Sequence, residues 1–201
     1  MAEKGNVHRL LLLGLGLLLL VAVGIVYIRR TETSTPPAMP WMGYGGPTAR
    51  EALSPASEVA AQWQEDAHLV AVSGHLTWET GQQGYSVEWA FQFFSPSTQR
   101  LALILVSDGK ARLMRDSLSP YRVHTFSLER WRVDSDRALQ IWWDNGGSAV
   151  LARRPDTELV IKLNLPAEGD EPLWTVAGVF PGQGDAFTIM VNATTGAVIK
   201  P

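Results

Sequence analysis

Hydrophobic and polar positions divide the chain into three regimes. From Leu10 to Ile28, 19 consecutive positions (LLLLGLGLLLLVAVGIVYI) carry no charge. At 1.5 Å per helical residue the run spans about 28 Å, close to the roughly 30 Å hydrocarbon core of a bilayer. It predicts a transmembrane helix over 10–28, with residues 1–9 as a short cytoplasmic N-terminus. The run is longer than the apolar region of a signal peptide and stops at Arg29-Arg30 with no Ala-x-Ala pattern, so it reads as an uncleaved anchor. Lys4 and Arg9 on one side balance Arg29 and Arg30 on the other, so the positive-inside count is a tie. Because only nine residues precede the span, the foldable remainder is expected outside the cytoplasm. Residues 29–50 are rich in Thr, Pro and Gly with no apolar period, the composition of a linker.

The rest of the chain alternates between the two regular periods. Ser54-Pro55 offers a cap and a first-turn proline, and Ala56, Val59, Ala60 and Trp63 follow at i, i+3, i+4, i+7, which predicts a short amphipathic helix. Strand-like runs come next: Leu69 to Trp78, then Val87, Trp89, Phe91 and Phe93 on one face, then Leu101 to Val106. Asp108-Gly109 is a hairpin signal, and a short strand, ARLM, follows it. The order then repeats. Asp134 or Ser135 can cap a helix carrying Ala138, Ile141, Trp142 and Asn145 on one face, and Gly146-Gly147 ends or bends it before SAVLARR. Leu159, Ile161, Leu163 and Leu165 alternate as a strand, followed by PLWTVAGVF and FTIMVNATTGAVI. Trp89 and Val106 are 17 residues apart, as are Trp174 and Val191, and a glycine-containing turn follows each valine. This spacing points to an internal duplication with units at 51–120 and 121–201. Units of that size bury too little surface to be stable singly, so one compact, two-lobed α+β domain is expected, each lobe a helix on a small antiparallel sheet.

Trp174-Thr175-Val176 followed by Val191-Asn192-Ala193-Thr194-Thr195-Gly196-Ala197-Val198 resembles the PepSY family, in which a W-x-V strand precedes a V-(D/N)-A-x-T-G-x-V hairpin. The likeness extends over about 134–201. It is weaker over 52–115, where Trp89-Ala90-Phe91 opens the strand and Val106-Ser107-Asp108-Gly109 makes a turn two residues shorter. The resemblance implies a tandem PepSY-like, membrane-anchored bacterial protein. It also implies a non-enzymatic module that binds or restrains a partner such as a peptidase, through a sheet face or an edge accepting a peptide strand.

Charge and composition narrow the remaining classes. Residues 31–201 hold 13 Lys and Arg (the chain's 17 minus Lys4, Arg9, Arg29 and Arg30) against 19 Asp and Glu (20 minus Glu3), a net charge of -6. That opposes nucleic-acid binding, which needs a basic stripe. With no cysteine there is neither a disulfide nor a thiolate site. His8, His68, His75 and His124 have no metal-ligand spacing, and His68 and His75, seven apart on a strand, are expected on opposite faces. No nucleophile-elbow, P-loop or dinucleotide-binding signature occurs, so no catalytic residue, metal or cofactor is expected. Adjacent helical residues point about 100° apart, so Trp142 and Trp143 cannot both enter one small core. With Trp41 and Tyr44 of the linker they are the candidate partner-binding residues. Exposed aromatics of this kind also fit a small-ligand or glycan binder. A structural subunit of a membrane complex is the third reading.

Overall fold

The computed structural model describes residues 46–78, 85–121, 123–154, 157–180 and 186–199. The span read at 10–28 and the linker up to residue 45 lie outside them. Among the described residues no helix is long and apolar enough to cross a membrane.

The first helix, α1 (Ala49–Trp63), begins five residues before the expected Ser54. Thr48 accepts from the Glu51 N–H while the Glu51 side chain accepts from the Thr48 N–H, a reciprocal capping box that outcompetes the Ser-Pro signal. Pro55 therefore lies inside the helix. Ala49, Ala52, Ala56 and Ala60 form its buried stripe, and their small side chains let the axis lie close to the sheet.

Four strands follow, β1 (His68–Trp78), β2 (Tyr85–Ser95), β3 (Arg100–Ser107) and β4 (Lys110–Leu118). The β3–β4 connection is Asp108-Gly109, with φ of 52° and 70°. Two consecutive positive values match the right-handed twist of the flanking strands, as in a type I′ turn. The second helical stretch runs from α2 (Ser135–Trp142), capped by Asp134, through a wide turn at Trp143–Gly147 into α3 (Ser148–Arg153). Gly146, at φ 123°, makes the bend. Strands β5 (Glu158–Asn164), β6 (Leu173–Val179), β7 (Ala186–Asn192) and the two-residue β8 (Val198–Ile199) complete the chain.

The expected two lobes with separate small sheets are not what forms. The eight strands among the described residues make one antiparallel sheet in the order β4-β3-β2-β1-β5-β6-β7-β8. A four-stranded half would leave β1 or β5 as an open edge beside a half-covered apolar face. Pairing the two satisfies their backbone groups and merges the cores. Trp89 lies directly opposite Val106 across β2–β3, and Trp174 opposite Val191 across β6–β7, which is the physical content of the 17-residue spacing. Trp89 also faces Gly74 in β1, and Trp174 faces Leu163 in β5. Ser73 and Lys162 are then equivalent positions, and they pair with each other across β1–β5. An approximate two-fold axis passes through that pair.

The same relation holds for the helices. The Trp89 indole N–H donates to the Pro47 carbonyl at 2.8 Å, and that of Trp174 to the Val133 carbonyl at 2.7 Å, each two residues before its helix. The helix N-termini meet head to head. The Ala49 N–H donates to Ser135 Oγ at 3.0 Å, while Asp134 Oδ1 accepts from both Ser135 N–H (2.7 Å) and Arg50 N–H (3.3 Å). One carboxylate thus lies at two positive helix ends, offsetting the repulsion between them. The closing hairpin secures this junction. The Ala193 carbonyl accepts from Arg132 and Val133, and Asn192 Oδ1 accepts from the Thr194 and Thr195 N–H groups of its own turn.

Candidate functional site

Of the four aromatic residues proposed from the sequence, Trp41 and Tyr44 lie outside the described residues. Trp142 is a core residue with no exposed surface. Its indole N–H donates to the Phe187 carbonyl at 3.1 Å, and its ring packs against Phe187 and over two glycines. A Cβ added at Gly147 would lie 2.2 Å from that ring, and one at Gly178 2.8 Å from it. The expectation that Trp142 presents a binding patch is corrected on those grounds. Trp143 is half-buried, packed against the edge of the core.

The described carboxylates with displaced pKa values hold structure. Asp66 accepts from Ser95 Oγ at 2.6 Å and the Ser97 N–H at 2.8 Å; these bonds, the Ser95 one above all, hold its pKa below the usual carboxylate value. Asp116 is lowered by Arg100, 2.7 Å away across β3–β4, and Glu158 by His75 at 3.2 Å. Each serves a turn or a strand pair, and among the described residues no three His, Asp or Glu side chains could hold a metal. A β-bulge between Leu69 and Ala71 interrupts β1, so the strict alternation assumed for His68 and His75 does not hold.

A half-open groove of about 390 Å³ lies between the C-terminal half of α1, the start of β1 and the segment 125–129. Leu53, Ala60, Leu69, Phe93 and Phe126 supply its apolar surface, and Ser57, Glu65, His68, Ser127 and Glu129 its polar groups; among the described residues no Lys or Arg lines it. Its chemistry suits a side chain with an apolar stem and a cationic head. Sequence reasoning missed it because the lining comes from three separated segments. Leu128, an isolated apolar residue between Ser127 and Glu129 and nearly half exposed, was the one local signal.

A different surface forms at the β4 edge. Lys110, Arg112 and Arg115 pair with Ser107, Leu105 and Leu103, so all three project on the sheet face away from the helices. Leu113, Met114 and Leu118 are 42, 56 and 68% exposed, and Tyr121 beyond the strand is 67% exposed. The strand is bulged between the residues facing Leu103 and Ile104, which leaves Met114 as the extra residue. In the sequence only ARLM stood out, as a short strand, and its flanking cations were not read with it.

No protein-family model and no curated protein matches the chain. Among solved structures it is similar to one from Clostridium difficile 630 described as a "putative lipoprotein", with a TM-score of 0.49, 11% sequence identity, and coverage of 83% of this chain and 97% of that one.

Proposed function

We propose that the chain is a membrane-anchored, extracytoplasmic binding module of PepSY-like build that holds a peptide or protein partner, a peptidase being one such partner, and performs no covalent chemistry itself. The observation that carries this reading is the groove beside α1, where an apolar surface meets Glu65 and Glu129 with no basic residue among the described residues that line it. Such a site favours an exposed peptide segment bearing Lys or Arg next to an apolar residue. The perturbed carboxylates support the non-enzymatic part, since each is bound to a structural partner.

Fluorescence anisotropy of the full chain in detergent with short labelled peptides tests it. Peptides pairing Lys or Arg with an apolar residue are expected to bind, and their Glu counterparts are not. Glu65→Gln with Glu129→Gln should weaken binding roughly 3- to 10-fold, as expected for partly screened charges. Ala61→Trp, on the exposed side of α1, should fill the groove and abolish binding without lowering Tm. Turnover of peptides, esters or glycosides at enzyme-like rates would instead make the protein an enzyme.

A further inference from the structure

The β4 edge combines features that conflict if its only neighbour is water. Lys110 and the bulge at Met114 are devices that keep an edge strand from accepting another strand. A protected edge has no need of exposed apolar residues, yet Leu113, Met114, Leu118 and Tyr121 are four of the six most exposed large hydrophobic residues described. Leu113 and Leu118, opposite Ile104 and Arg100, flank the edge on the helix side, while three cations project from its other face, in a domain region of net charge -6. Strand addition is blocked and apolar contact is offered, with the charge selecting an anionic surface.

We propose that the β4 edge docks the domain on an anionic lipid bilayer. Lys110, Arg112 and Arg115 would meet the headgroups, with Met114 of the bulge and Tyr121 beyond the strand entering the interfacial layer. The inference rests on the anchor reading only for proximity. About 20 residues separate Ile28 from α1, and a linker of that length has a root-mean-square span of roughly 25 Å. A domain of this size, tethered so closely, samples the bilayer with all of its surface, and the edge with the best complementarity sets its orientation.

The absence of cysteine makes the test direct, since one introduced thiol takes one label. Met114→Cys and, at the opposite sheet edge, Ala197→Cys are labelled with a fluorophore in the full chain. Each is reconstituted in nanodiscs of phosphatidylcholine, with or without phosphatidylglycerol, containing brominated lipid. The label at 114 is expected to be quenched in the anionic discs and the label at 197 is not. Lys110→Glu with Arg112→Glu and Arg115→Glu, all at exposed positions, should shift the docked population by on the order of 100-fold and bring quenching at 114 down to that at 197.

Equal quenching at both labels, or quenching at 114 that survives the charge reversal, overturns the proposal. So does a label silent to lipid that responds to an acidic peptide, which would assign the edge to a protein partner. A chain that fails to enter discs removes the anchor reading alone. The same two labels then report on preformed vesicles of the two compositions, with the same outcomes deciding.

Discussion

Trp131 and Trp174 meet edge to face at 5.8 Å, both buried, but only one has its N–H satisfied. Trp174 donates to the Val133 carbonyl, whereas Trp131 Nε1 has no partner among the described residues, and the Arg50 guanidinium lies 5.3 Å from its ring centre. Replacing either by Phe removes similar volume, so the difference between the two isolates the hydrogen bond. Trp174→Phe is expected to cost about 1–2 kcal/mol more than Trp131→Phe in urea denaturation, because it removes the donor of a part-buried carbonyl. Asp66 yields a pH prediction. Its folded pKa is depressed, so its contribution is fully present above the unfolded value and is lost as pH falls through the lower folded one. Ser95→Ala removes the largest cause of that depression. Acid unfolding followed by circular dichroism should therefore begin at a higher pH than in the wild type.

At the scale of elements, the sequence was most legible where geometry is local. Asp108-Gly109 and Asn192 to Gly196 could be read as turns because a positive φ and a side-chain acceptor are properties of a few adjacent residues. The Trp142-Trp143 step was legible only as a choice. Which indole enters the core depends on Gly147 and Gly178, and the second lies in β6, about 35 residues further along the chain, on the sheet face that Trp142 packs against. The start of α1 was misplaced because Pro55 resembles a first-turn residue, while Thr48 and Glu51, with no apolar period before them, carried the true signal. A proline seven residues into a helix leaves the Glu51 carbonyl without its usual donor. Pro55→Ala should raise stability by about 1–3 kcal/mol, visible as a higher Tm, less whatever the proline contributes by restricting the unfolded chain. The groove and the β4 edge were not legible at this scale, since each depends on segments brought together by the sheet.

At the scale of the whole molecule, the spacing revealed a repeat but not how its copies join. β1 and β5 are almost 90 residues apart, and the apolar alternation of each is equally compatible with an edge or a central strand. The pairing of Ser73 with Lys162 gives the answer, and it has a consequence for how such a molecule can exist in pieces. Each half presents to the other the strand that the other presents to it, as the two subunits of a symmetric dimer do. Residues 46–120 produced alone, with Ser73 left facing a vacant edge, are expected to pair β1 with β1 of a second copy. Light scattering should then find a dimer whose melting temperature rises with concentration, where the intact chain shows no such dependence. The segment between β4 and α2 thus turns an encounter between molecules into an encounter within one, at an effective concentration on the order of millimolar. A chain built this way keeps its fold at any dilution, without having to find itself.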